Sequence, residues 1–135
     1  MSKYNSKKVE YDGIVFDSQI EMEYFKLLKD RVNKEEILWF TIQPVYELTP
    51  KFTKGGKNIR STSYTPDFLI KHLDGSLEAI ETKGFMTQAS ELRIKLFNYR
   101  YQDIKLTVLS YSKKWGGWVE YSELKKLRRE NKKII

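Results

Sequence analysis

The chain has no cysteine in its 135 residues, so neither a disulfide framework nor a thiolate metal site can be built, and a reducing compartment suits it. It has one histidine, His72, which alone builds neither a zinc site nor a His-based catalytic triad. Any bound ion must therefore be held by carboxylates, whose oxygens favour magnesium, with manganese as a substitute. No apolar run approaches the length of a membrane span, and the polar stretch from Met1 to Glu10 lacks the apolar centre of a signal peptide. The expectation is a protein with no membrane partner, working in the cytoplasm.

What is present is an ordinary globular mixture, 40% hydrophobic and 32% charged, in a length that suits one domain with one core. That domain is expected to fill residues 1–135, with a loose basic tail over 1–10 and a basic C-terminal extension over 112–135. The net charge of +7 favours a polyanionic partner, nucleic acid first.

The chain shows no internal repeat and no low-complexity linker. Asp12-Gly13 marks a turn between the short apolar stretches of Tyr11 to Phe16. Ser18 and Glu21 form a possible capping box for a helix running to about Arg31 or Val32. Around that helix, Ile20, Tyr24, Phe25, Leu27, Leu28 and Val32 fill one broad apolar arc, and Glu21 falls inside it. Ile37 to Leu48 reads as a strand interrupted by Pro44. Thr49 to Thr62 reads as a polar loop made mobile by Gly55-Gly56.

Ser63 to Leu73 and Ser76 to Lys83 then form a predicted hairpin around Asp74-Gly75. A second helix is expected from about Thr87 to Tyr101, a strand from Ile104 to Tyr111, and a basic helix capped by Ser122. This alternation predicts an α/β fold with a mixed sheet flanked by helices. His72 is most simply a polar strand residue near a turn.

The sharpest signal lies mid-chain, in Tyr64-Thr65-Pro66-Asp67-Phe68 and Glu78-Ala79-Ile80-Glu81-Thr82-Lys83-Gly84. Phosphodiester hydrolysis needs carboxylates to hold a divalent ion and a cation near the developing charge. Asp67 and Glu81 can supply the first, and Lys83 the second. Residues two apart on a strand share a face, which joins Glu81 to Lys83. A two-residue Asp74-Gly75 loop would set Asp67 opposite Thr82. A three-residue loop, Leu73-Asp74-Gly75, sets it opposite Glu81, with Gly75 at the left-handed position. The chemistry thus predicts the loop. Glu21 adds a third carboxylate, because an acid on an apolar helix face is costly without a partner.

The order Glu21, Pro66-Asp67, Glu81-Thr82-Lys83 resembles the PD-(D/E)XK nuclease superfamily. With Gly13 to Glu21 included, it is similar to small phage and prophage proteins of the phage endonuclease I and Holliday-junction resolvase type. The resemblance spans roughly residues 11–110. It implies a restriction-endonuclease-like αβββαβ core and magnesium held by Asp67, Glu81 and the Thr82 carbonyl, with Glu21 binding or orienting a second ion. It implies that Lys83 positions the attacking water. Some members carry Gln-x-x-x-Tyr on the helix after the lysine. Here Gln88 is followed four residues later by Leu92, which argues against that exonuclease branch.

The expected DNA contacts are Lys51, Lys54, Lys57 and Arg60 in the long loop, Arg93, Lys95 and Arg100 on the second helix, and Lys113 and Lys114. Trp115 and Trp118 could stack on unpaired bases, although packing is the commoner role of such tryptophans. The leading expectation is a structure-selective DNA endonuclease, a Holliday-junction resolvase acting on branched DNA as a homodimer. The rivals are a related nuclease that nicks duplex DNA or processes ends, and an inactive DNA-binding protein on the same fold.

Overall fold

The computed structural model describes residues 7–82 and 86–134. A small hairpin, β1 (Val9–Tyr11) with β2 (Ile14–Phe16), leads into helix α1 (Gln19–Asn33). Residues 9 and 10 therefore belong to a strand, not to the loose tail expected over 1–10. Ser18 caps α1, its hydroxyl accepting the Glu21 backbone N–H at 3.2 Å. Strand β3 (Ile37–Ile42) follows α1, and later come β8 (Phe68–His72), β9 (Leu77–Thr82), helix α2 (Gln88–Arg100) and β10 (Ile104–Ser112). This is the αβββαβ order expected. Thr87, expected as the first residue of the second helix, instead caps α2 through its side chain.

The central sheet has the order β11-β10-β9-β8-β3, where β11 is Gly117–Glu120. Only β9 and β10 are parallel, and α2 makes the crossover that a parallel pair needs. Helices cover both faces. Phe68, Ile70 and Ile80 pack with Met22, Tyr24, Phe25 and Leu28 of α1. Leu69 and Ala79, of opposite parity, pack with Phe97 of α2. Leu28, Phe68 and Phe97 are fully buried, each contributing about 1.5–3 kcal/mol of hydrophobic stabilisation. Among the described residues no helix is long and apolar enough to cross a membrane.

Several expectations are corrected. The interruption expected at Pro44 is present, and the predicted strand 63–73 also breaks, at Pro66. Pro44 and Pro66 offer no N–H, and Gln43 turns to φ +47, so each strand ends and restarts in a new direction. The outer pieces, β4 (Tyr46–Thr49) and β7 (Thr62–Tyr64), pair with each other outside the central sheet. Residues 49–62 are not a mobile loop. They carry a further hairpin, β5 (Phe52–Lys54) with β6 (Lys57–Ile59).

Within the C-terminal stretch, β11 edges the sheet and Leu124 of α3 (Tyr121–Ile134) is buried. Ser122 lies inside the first turn of α3 rather than capping it. On α1, Ile20 and Leu27 are exposed and Met22 is buried in the core instead. The described part of the predicted strand 76–83 runs from Leu77 to Thr82, and Lys83 lies outside the described residues.

Candidate functional site

The β8–β9 hairpin pairs Phe68 with Ile80, Leu69 with Ala79 and Lys71 with Leu77. His72 and Ser76 close it, the His72 N–H donating to the Ser76 carbonyl at 2.9 Å. The loop is therefore the three-residue Leu73-Asp74-Gly75, with Gly75 left-handed at φ +87. Continued by one step, the same register sets Asp67 opposite Glu81. The Asp74 carboxylate accepts from the Ser76 N–H and hydroxyl, which lowers its pKa and fixes the turn.

Asp67 sits just before β8, at the end of the sheet where the chain bends at Pro66. Its Oδ2 accepts the Thr82 backbone N–H at 2.7 Å and the Thr82 hydroxyl at 2.8 Å. Glu81, only 5% exposed, faces the α2 side, where its Oε1 accepts the Tyr64 hydroxyl at 3.0 Å. Burial and the adjacent Glu81 charge raise the Tyr64 pKa well above its usual value, so this hydroxyl stays a donor.

Glu21 reaches the same point from the first turn of α1. Burial, the charge of Asp67 and a hydrogen bond with it, then the charges of Asp17 and Glu81, push the Glu21 pKa up to about 8. Near neutral pH the Glu21 carboxyl is thus mostly protonated and donates to Asp67. The first turn of α1, the bend before β8 and the end of β9 bring Glu21, Asp67, Glu81 and Thr82 together.

The stability of the metal-free protein should depend on this proton. The folded value lies above the unfolded value of 4.5, so the folded state binds more protons between the two. Glu21 then contributes its full stability below pH 4.5 and loses it as pH rises through about 8. Glu21→Gln, which keeps an uncharged donor beside Asp67, should flatten that decline. Thermal unfolding of both proteins in chelator across this pH range reads it. Parallel curves would show that Glu21 carries no buried proton.

The donor chemistry fits a hard divalent cation: all oxygen, with one acid held neutral by the field of the others. Among the described residues, no three acidic or histidine side chains already close round a single point. Glu81 is turned to Tyr64, and Asp67 to Thr82 and Glu21. Asp67 and Glu81 are the residues that would hold an ion, with Glu21 beside them.

A cavity of about 290 Å³ opens beside Glu81, lined by Ser63, Tyr64, Thr65, Ser90, Arg93 and Ile94. Of the expected DNA contacts, Arg93 thus lines the same cavity as Glu81. Lys95 is exposed elsewhere on α2. Arg100 is engaged within the protein, donating to the Leu48 carbonyl and to Glu47 Oε1, both at 3.1 Å. Lys51, Lys54, Lys57 and Arg60 are exposed on and around the β5–β6 hairpin, and Lys113 and Lys114 on the turn before β11.

Lys114 lies over the Trp115 ring, 5.2 Å from its centroid. Trp118 packs edge-on against Tyr24 and stacks on Tyr111. His72 lies at the far end of β8, its Nε2 2.7 Å from Glu78 Oε1, and Thr107 donates to the other oxygen of Glu78.

Sequence reasoning assigned no role to Tyr64, although it stands beside Pro66-Asp67. A buried tyrosine needs a partner for its hydroxyl, and that signal points to an acid.

The fold and its acids define a mixed α/β protein with a carboxylate cluster at one end of the central hairpin. The chain belongs to the DUF1064 family, described as a protein of unknown function, which matches residues 1–117. No curated protein matches the chain.

Proposed function

We propose that this chain is a magnesium-dependent DNA endonuclease whose acidic centre is Asp67, Glu81 and Glu21. The observation that supports it most is the meeting of these acids at one end of the β8–β9 hairpin, with the Glu21 pKa raised to about 8 by burial and its acidic neighbours. A cluster that holds a proton against its own charge is relieved by a cation. The αβββαβ order and the spacing of Pro66-Asp67 and Glu81-Thr82-Lys83 resemble the PD-(D/E)XK superfamily, which supplies the reaction class.

A bound magnesium would polarise the phosphodiester and acidify water. The chain's own residues do the rest. Tyr64 orients Glu81, and Thr82 fixes one oxygen of Asp67. Arg93, which lines the cavity beside Glu81, would meet a phosphate there. Lys83 is assigned to the attacking water by its spacing from Glu81.

The substrate we favour is branched DNA, a four-way junction cut by a homodimer, since two symmetric cuts call for two active sites. The setting that matches is the cytoplasm of a host cell, with a phage or prophage origin. The test is cleavage of four-way junction, flap and linear duplex substrates, with magnesium, manganese or chelator. The junction should be cut fastest, and chelator should stop all cleavage. Equal cutting of all three would replace the junction assignment with general duplex nicking or end processing. Binding without cleavage under either metal would leave an inactive DNA-binding protein.

A further inference from the structure

Between Glu47 and Asp67 the chain has no acidic residue, yet it carries Lys51, Lys54, Lys57 and Arg60. Every residue from Lys51 to Ser63 is exposed. The β5–β6 hairpin pairs Phe52 with Ile59, Thr53 with Asn58 and Lys54 with Lys57. Gly55 and Gly56 close it at φ +59 and +75, the two left-handed residues that match the twist of a two-residue turn.

Strand alternation sorts its side chains. Thr53 and Asn58 share one face and are hydrogen-bonded to each other at 3.2 Å. Phe52, Lys54, Lys57 and Ile59 share the other. This second face is unfavourable in water. Like charges stand directly opposite each other at Lys54 and Lys57, which destabilises a strand pair. Phe52 and Ile59 remain 49% and 38% exposed. A polyanion with apolar surface between its charges complements both features.

Duplex DNA offers that surface. Strands of a ribbon lie about 4.8 Å apart, and the major groove, about 12 Å wide, admits a two-stranded ribbon. Phosphates line its edges, and thymine methyl groups and base edges form its floor. We propose that the β5–β6 hairpin lies in the major groove of duplex DNA, with Lys54 and Lys57 on phosphates and Phe52 and Ile59 against the base edges. This rests on the DNA reading above and adds the part of the substrate that is recognised away from the cut. The chain from Gly56 back to Asp67 reaches at most about 40 Å, so the ribbon contacts DNA within about one helical turn of the acids.

The test is binding in chelator, where nothing is cut, to a duplex-armed junction and to a plain duplex. Wild type, Lys54→Gln/Lys57→Gln and Phe52→Ala/Ile59→Ala are compared. In wild type, guanine N7 atoms in one stretch of major groove should be protected from methylation. The lysine pair should lower the slope of log affinity against log salt by about 1.8, two phosphates' worth. The apolar pair should leave that slope unchanged and remove the protection. Duplex RNA, whose major groove is too narrow to enter, should compete poorly.

Unprotected N7 atoms, or displacement by a minor-groove ligand alone, would overturn the groove assignment while the nuclease reading stands. So would variants that lose binding to phosphatidylserine vesicles but not to duplex, which would make the hairpin a membrane-surface element. A wild-type protein that bound none of the DNAs would overturn the hairpin proposal and the nuclease reading together.

Discussion

Asp67→Asn is expected to cut DNA at least about 10³-fold more slowly than wild type in magnesium, while remaining folded. Asparagine is the informative replacement because of what Asp67 does structurally. Its Oδ2 takes both the backbone N–H and the hydroxyl of Thr82. Alanine would leave that buried N–H without its acceptor, costing about 1–3 kcal/mol, and a loss of activity could then be blamed on the fold.

Asparagine keeps an oxygen for Thr82 and a polar partner for Glu21, but removes the negative charge that would hold a cation. Folding and chemistry are thereby separated. Single-turnover cleavage and thermal unfolding should be measured on the same preparation. A variant that unfolds like wild type and cuts at a wild-type rate would remove Asp67 from the chemistry, and with it the assignment of the cluster as a nuclease centre.

The variant also tests how the cluster is wired. The charge of Asp67 is the largest influence on Glu21 after burial. Removing it should bring the Glu21 pKa down, so the pH dependence of stability in chelator should shrink in Asp67→Asn as it does in Glu21→Gln.

The local chemistry of the hairpin explains why the placement of Asp67 opposite Glu81 could be read from residues alone. Only one loop length puts Asp67 opposite Glu81, and Gly75 was the residue able to close it. The start of α1 was equally readable, because Ser18 is a short polar residue placed where unpaired N–H groups need acceptors, whereas Ser122, of the same type, lies inside α3.

What could not be read depends on long-range pairing. Pro44 and Pro66 each signal a break, but only the partner strand shows that both breaks coincide and bend β3–β4 and β7–β8 together. That bend makes a hairpin of 49–62 and carries Tyr64 to Glu81. The α1 face was misjudged for the same reason. Helical periodicity places Ile20 and Leu27 beside the core, but the groove they line, with Tyr111 and Trp118, depends on where β10 and β11 lie. The clamp on Arg100 likewise joins residues more than fifty positions apart, and no local pattern announces it.

Lys83→Ala should bind its preferred DNA almost as wild type does, yet cut it about 10²–10³-fold more slowly. Lys83 is two residues beyond Glu81, a spacing that puts side chains of an extended chain on a common face. On the nuclease reading, an ammonium there would offset negative charge as it develops on the phosphorus oxygens and would orient the attacking water. It therefore acts more strongly on the transition state than on the bound substrate. Its share of binding is small, because it is one of 25 Lys and Arg residues in a chain of net charge +7. Lys83→Arg should also be slow, since a planar guanidinium does not reproduce a compact ammonium. Equilibrium binding in chelator and single-turnover cleavage at saturating enzyme, on one substrate, separate the two effects. If Lys83→Ala lost affinity but kept its single-turnover rate, the lysine would be a phosphate contact like those of the hairpin. The spacing Glu81-Thr82-Lys83 would then carry no mechanism.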